Sequence, residues 1–186
     1  FDRKMPEEIN RIVTDSICDI LLTPSDDGDE NLLKEGVDEY KIHMVGNVMI
    51  DSLLNNLDIA KNLDILSKYS LSKDYALVTL HRPSNVDDKS VFSDIISALE
   101  ELSGDIEFVF PMHPRTRKMA EKFHLYNRIE SIPGMKITEP AGYLEFISLM
   151  SKSELVLTDS GGLQEETTAL GIPCLTIREN TERPVT

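Results

Sequence analysis

Two rhythms of apolar and polar positions run along this chain. Over residues 6–20, Ile9, Ile12, Val13, Ile17 and Ile20 recur at helical spacing. Pro6 suits a first turn and Glu7 and Glu8 suit the positive end of the helix dipole, so the pattern predicts a helix. The apolar run Ile20 to Thr23 reads as a strand. Residues 25–35 read as a second helix, with Ser25 as its N-cap and Gly36 as its stop, and Ile42 to Val45 as another short strand. From Val48 to about Ser70 the pattern is helical with mixed polarity, and a domain junction is expected there, between residues 1–55 and 56–186.

Beyond the junction the rhythm becomes regular. Strands are expected at Tyr75–Leu80, Ile106–Phe110, Met135–Thr138, Glu154–Thr158 and Pro173–Ile177. Helices are expected near residues 88–102, 116–123, 143–151 and 162–170. The strands are continuous apolar runs such as Ala76-Leu77-Val78 and Leu155-Val156-Leu157, the mark of parallel strands covered on both faces. Repeated strand–helix units connected by right-handed crossovers predict an α/β fold, a Rossmann-like doubly wound parallel sheet. Phe110, Tyr143, Phe146 and Met150 are expected in the core, and His43 and His124 at surface or packing positions.

Composition narrows the function. Hydrophobic residues make up 40% and charged residues 28%, which fits an ordinary folded domain. No apolar run reaches the roughly 20 residues that span a bilayer, and no apolar core follows Phe1-Asp2-Arg3-Lys4 to make a signal peptide. A cytoplasmic location and no membrane partner are expected. The chain lacks an initiator Met and stops abruptly at Thr186, so both ends are expected to be cut. Cys18 and Cys174, far apart and among apolar residues, are expected as buried reduced thiols. The net charge of −14 argues against nucleic acid. Any phosphate site must rely on backbone N–H groups and a few placed cations, because the global field repels an anion. The acidic stretch Asp26-Asp27-Gly28-Asp29-Glu30 reads as a solvated helix start rather than a metal site.

Ligands of open α/β sheets bind beyond the carboxyl ends of the strands, and four such ends carry candidate chemistry. Thr158 through Glu166 is a strand end, two glycines and a helix start. The glycines let the backbone approach a ligand closely, the N–H groups and dipole of the helix start favour a diphosphate, and Glu166, one turn into the helix, could accept two hydrogen bonds from a ribose diol. A tight strand–helix turn with a capping Ser or Asp shows the same pattern. His81-Arg82 follows one strand, Met112-His113-Pro114 another, and Arg178 to Pro184 the last. Surface loops or a solvated salt-bridge cluster would look alike. Together they suit an anionic, phosphate-bearing ligand. Metal-ligand spacing, a nucleophile elbow, a Walker loop and a dinucleotide glycine triplet are all missing, which disfavours a metal or nicotinamide enzyme.

The strings Pro6-Glu7-Glu8-Ile9-Asn10-Arg11, Val45 through Asp51, Thr79-Leu80-His81-Arg82, Met112-His113-Pro114, Glu139-Pro140 with Tyr143 and Phe146, Thr158 through Glu166, and Leu170-Gly171-Ile172-Pro173 through Arg183-Pro184 run in the order found in one family. In them the chain resembles the non-hydrolysing UDP-N-acetylglucosamine 2-epimerases. The resemblance implies two Rossmann-like lobes of GT-B type, with the UDP part of the substrate held mainly on the C-terminal lobe in the interlobe cleft. It implies Glu7 as an acid/base carboxylate, His81 as the histidine near the leaving diphosphate, and Ser160, Gly161, Gly162, Glu166 and Arg183 as UDP-binding residues. Arg82 and His113 match positions that serve an activating second UDP-N-acetylglucosamine in some members. The implied partners are UDP-GlcNAc, UDP-ManNAc and UDP, in a homodimer, with no cofactor or metal.

Ser84 departs from the Glu of many members. Most of the first lobe is expected to lie before Phe1 and the last helices after Thr186, so these residues alone are expected not to epimerise. A UDP-sugar sensor or pseudoenzyme, a hydrolysing epimerase and a GT-B glycosyltransferase stay open as alternatives.

Overall fold

The computed structural model describes residues 6–71 and 74–178. The chain divides into two compact units, one ending at Ser52 and one beginning at Leu53.

The first unit runs α1 (Pro6–Ile17), β1 (Leu21–Thr23), α2 (Asp26–Lys34), a 3-10 turn (Glu39–Lys41) and β2 (Ile42–Met44), then enters α3 (Val48–Lys61). β1 and β2 pair in parallel, Leu21 opposite Ile42. α1 ends at Ile17 rather than Ile20, because the run from Leu21 is claimed by strand pairing. Ser25 holds the N-cap position of α2 in extended conformation, but its hydroxyl makes no capping bond. Within the acidic stretch, Asp29 accepts a hydrogen bond from the Thr23 hydroxyl. Gly36 stops α2 at φ +88°, with Gly36 N–H bonding Leu33 O and Val37 N–H bonding Leu32 O, a left-handed termination that suits a residue without Cβ. Arg11 pairs with Glu8 and Asp15 of its own helix at 2.9 and 2.7 Å and ties α1 to the end of α2 through Glu35 at 2.7 Å.

The second unit continues with α4 (Ile65–Tyr69), β3 (Tyr75–Thr79), α5 (Pro83–Val86), α6 (Lys89–Leu102), β4 (Glu107–Pro111), α7 (Pro114–Lys122), α8 (Tyr126–Glu130), β5 (Met135–Thr138), α9 (Tyr143–Ser151), β6 (Leu155–Thr158), α10 (Gly161–Leu170) and β7 (Cys174–Thr176). Its five strands are all parallel, in the order β5-β4-β3-β6-β7. Alternate residues feed opposite faces. Ala76, Val78, Phe108 and Phe110 join Phe92, Ile96 and Leu99 of α6 and Ala120 of α7 in one cluster, while the fully buried Leu77, Val109 and Val156 lie outside it. Tyr75 Oη donates to the Leu149 carbonyl of α9 at 2.6 Å. This is the doubly wound sheet expected from the continuous apolar runs.

Four expectations are corrected. The stretch Val48–Ser70 is two helices, broken at Asn62–Asp64, where Asp64 caps α4 by accepting the Ser67 N–H. α5 and α8 form where no helix was expected. Tyr143 is 49% exposed rather than in the core, whereas Phe110 and Met150 are buried as expected. Cys18 and Cys174 are free thiols but only half-buried: Cys18 lies in the connection before β1, and Cys174 begins the edge strand β7. His124 takes a left-handed conformation, φ 59°, and ends the helical run after α7, with Leu125 N–H returning to Ala120 O at 2.8 Å.

Candidate functional site

The winding of the second unit reverses beside β3: the chain goes from β3 outward through β4 and β5, then returns to place β6 on the other side. Such a reversal leaves a crevice at the carboxyl ends of the two strands it separates. Here those strands are β3 and β6. They are in register, Thr79 opposite Thr158, with their hydroxyls 2.8 Å apart. The segments just beyond the two strand ends therefore meet at one point: His81-Arg82 from β3, and Asp159, Ser160 and the start of α10 from β6.

Asp159 is the centre of this meeting, fully buried at 0% exposure. Its Oδ2 accepts the Arg82 N–H at 2.8 Å, the His81 N–H at 2.9 Å and the Asn85 Nδ2 at 3.2 Å. Its Oδ1 lies 2.8 Å from His81 Nδ1. Asn85 also donates to the Ile177 carbonyl at 2.9 Å, tying in the end of β7. Burial pushes the Asp159 carboxyl up. The hydrogen bonds from the His81 ring and from the Arg82 and His81 N–H groups outweigh it, so the group lies below the usual carboxylate range and is ionised.

A hollow of about 390 Å³ opens beside this cluster, lined by His81, His113, Ser160, Leu163, Phe146 and Pro140 among others. The His81 and His113 rings are 5.8 Å apart and tilted by 47°. His113 heads α7, its Nδ1 accepting the Arg115 N–H at 3.1 Å, while the Arg115 side chain is committed to Asp87. Ser160 sits at the N-cap of α10 with no side-chain cap, so its hydroxyl does not occupy the helix start. Gly161 and Gly162 form the first turn in ordinary helical conformation. Their lack of side chain therefore serves close approach to the helix N-terminus, a natural anion seat, rather than an unusual backbone angle. Glu166 is buried at 7% exposure. Burial and then neighbouring Glu165 raise its carboxyl above the ordinary value. Tyr143 is raised by burial and then by Glu166, which places that phenol in the field of the carboxylate. A larger hollow of about 690 Å³ lies in the first unit between α1 and the end of α2. None of the expected site residues line it.

The structure thus places His81, Arg82, His113, Ser160, Gly161 and Gly162 just beyond strand ends on one edge of one sheet, with Glu166 farther along α10, near Tyr143. Glu7 is exposed in the first turn of α1, in the first unit. Arg183 lies outside the described residues. Sequence reasoning missed Asp159 and Asn85 as site residues. Asp159 could have been found as an acidic residue one past a strand, and Asn85 as the residue four after His81. Among the described residues no group of three or more His, Cys, Asp and Glu is placed to hold a metal ion, and no helix is long and apolar enough to cross a membrane.

A protein-family model described as UDP-N-acetylglucosamine 2-epimerase matches residues 1–186. A UDP-N-acetylglucosamine 2-epimerase of Methanococcus maripaludis is 46% identical over 192 residues, covering 100% of this chain and 52% of the relative. The crystal structure of the Methanocaldococcus jannaschii UDP-GlcNAc 2-epimerase in complex with UDP-GlcNAc and UDP is 46% identical, with a TM-score of 0.89 over 99% of this chain and 52% of that one. A UDP-2,3-diacetamido-2,3-dideoxy-D-glucuronate 2-epimerase of Pseudomonas aeruginosa is 42% identical over 186 residues, covering 98% of this chain and 50% of the relative. The chain spans about half the length of the curated relatives it matches.

Proposed function

The chain belongs to the UDP-N-acetylglucosamine 2-epimerase family, and on that premise we propose that the protein interconverts UDP-GlcNAc and UDP-ManNAc, with the crevice between β3 and β6 as its UDP site. One observation carries the reading: a histidine held by a buried carboxylate stands beside an uncapped, glycine-built helix start at the switch point of a doubly wound sheet. In this reading the diphosphate rests on the N–H groups of the α10 start, with Ser160 beside it, and Arg183 is assigned as a phosphate-side partner. Glu166 takes the ribose hydroxyls.

The reaction needs two bonds to break. A carboxylate base, a role given to Glu7, takes the proton from carbon 2. The carbon 1–oxygen bond then cleaves with its electron pair going to UDP, leaving 2-acetamidoglucal and UDP in the site. Protonation of carbon 2 on the opposite face and return of UDP to carbon 1 give the epimer. Negative charge grows on the departing diphosphate, where prepositioned donors lower a barrier most. The sequence is redox-neutral, so its balance calls for no electron-carrying cofactor. Arg82 and His113 are assigned to a second UDP-GlcNAc acting as activator.

Residues 1–55 are assigned to a first Rossmann-like lobe and 56–186 to the UDP-binding lobe. The apolar residues that the first unit exposes, Ile17 at 78% among them, support this assignment. The cytoplasmic location expected from the sequence is kept as part of the proposal, and so is the homodimer that the family resemblance implies. A second reading, favoured by the Pseudomonas aeruginosa relative, keeps the chemistry and changes the sugar to a 2,3-diacetamido uronate.

Incubating the full-length protein with UDP-GlcNAc in deuterated water tests the proposal. Deuterium at carbon 2 of both nucleotide-sugar epimers is expected. Free N-acetylmannosamine with UDP means a hydrolysing enzyme, and no exchange with UDP-GlcNAc but exchange with the uronate means the second reading.

A further inference from the structure

We infer that Asp159 is a positioning residue: its buried carboxylate holds His81 with the proton on Nδ1 and so makes Nε2 the one ring nitrogen that exchanges a proton in the crevice. The inference rests on the epimerase reading for its kinetic consequence, but not for its structural one.

The geometry dictates the tautomer. An ionised carboxylate only accepts hydrogen bonds, so the nitrogen 2.8 Å from Oδ1 must be the donor. Neutral His81 therefore carries its hydrogen on Nδ1 and leaves Nε2 bare, on the side of the ring turned from Asp159. A proton taken up at Nε2 leaves the Nδ1–H bond to the carboxylate in place. That proton can pass to a β-phosphate oxygen of UDP as the carbon 1–oxygen bond breaks, and return to Nε2 when the bond re-forms. Nδ1 never changes state.

The two oxygens of Asp159 divide their duties, and this separates positioning from support. Oδ2 carries the closest backbone bonds, from Arg82 and His81, and the one from Asn85. Oδ1 faces His81 Nδ1, with a longer contact of 3.2 Å to the His81 N–H. In Asp159→Asn the amide oxygen is required at the Oδ2 position, because three donors point there. The NH₂ group then falls at the Oδ1 position and offers a hydrogen to Nδ1. The imidazole must accept it, which moves the ring hydrogen to Nε2 and inverts the tautomer while the loop stays clamped.

Long-range ¹H–¹⁵N spectra of the full-length protein labelled at histidine read this directly at a pH where the imidazole is neutral, with His81 assigned from its loss in His81→Gln. Wild type is expected to show protonated Nδ1 and bare Nε2, and Asp159→Asn the reverse. Epimerisation of UDP-GlcNAc by Asp159→Asn is expected to fall on the order of 10²- to 10³-fold in kcat, with KM changed less than about threefold, the pattern of an interaction made at the proton-transfer step. A wild-type Nε2–H tautomer overturns the inference without any variant. So does an Asp159→Asn protein with wild-type kcat. Failure of the wild-type protein to epimerise sinks the functional proposal instead, and the spectra still decide the tautomer.

Discussion

The two units of this chain carry the same kinds of segment and reach different ends. In the second, the central strands are covered on both sides: Tyr75, Ala76, Leu77 and Val78 of β3 are all fully buried. In the first, β1 and β2 make a two-stranded sheet, α1 buries none of its residues, and Ile9, Val13, Ile17 and Leu22 remain exposed. Apolar periodicity states what a segment needs. Burial is decided by how many layers surround it.

The largest effect that can break this comparison is a core truncation. Phe108→Ala removes a fully buried ring from the main cluster and is expected to destabilise the second unit by about 3–5 kcal/mol. Val13→Ala or Ile17→Ala on the exposed face of α1 is expected to change stability by less than about 0.5 kcal/mol in this chain. Urea denaturation of the three variants checks both. If the alanines of α1 cost as much as that of β4, the difference between the units is not one of burial.

Next in size is a contrast of charged clusters, one in each unit. Asp159 is fully buried and serves two backbone N–H groups and two side chains. Arg11 joins three carboxylates with about a third of its side chain exposed. Asp159→Ala leaves buried donors without partners and is expected to cost about 3 kcal/mol. Arg11→Ala is expected to cost about 1 kcal/mol or less, and salt should shrink that further. The acid limb separates them too. The Asp159 carboxyl lies below its ordinary value, so the stability it contributes is present above the unfolded value of 3.8 and is lost as pH falls through the lower folded value. Acid denaturation of Asp159→Asn beside wild type should show that loss removed, and a superimposable pair of curves would contradict it.

How much of this could be read beforehand differs between fold and site. Strands β3 to β7 announce themselves as apolar runs, and Gly36 and Gly171 mark helix ends. α5 and α8 are single short turns with too few residues to show a period, and the break at Asn62–Asp64 is made by a cap rather than by polarity. His81, Ser160 and Glu166 could be nominated because strand ends are where sheets of this kind bind. Asp159 could not be paired with His81, because that pairing exists only through the Thr79–Thr158 register of two strands some eighty residues apart. Local pattern reports on neighbours in the chain, and the site is made of neighbours across the sheet.

A smaller effect sharpens the second unit's side of the comparison. Glu166 is held above its ordinary value by burial and by Glu165. The folded state therefore binds a proton that the unfolded state releases, and stability is full below the unfolded value of 4.5 and falls as pH rises through the raised folded value. If Glu166 takes the ribose hydroxyls as proposed, their donation favours its ionised form, so UDP binding by the full-length protein should tighten as pH rises through the same window. Calorimetry should show Glu166→Gln binding UDP about tenfold more weakly at neutral pH, with that dependence flattened. Equal affinity in the two proteins would remove Glu166 from the ribose.

The smallest effect probes what the units share. Both end helices in left-handed residues: Gly36 in the first, Gly171 and His124 in the second. A Cβ at Gly36 or Gly171 would meet nothing within 4 Å, so replacement by alanine costs only backbone conformation. About 1 kcal/mol is expected at each, the same in both units despite their unequal burial. His124 carries that penalty already at φ 59°. His124→Gly should recover it, less the entropy of a freer unfolded chain, for a net gain of about 0.5 kcal/mol. Thermal melts of the three variants test whether chain-local terms are equal on the two sides. A markedly smaller cost at Gly36 than at Gly171 would mean that the first unit frays at this helix end, so that its poverty of burial reaches even the terms the chain sets locally.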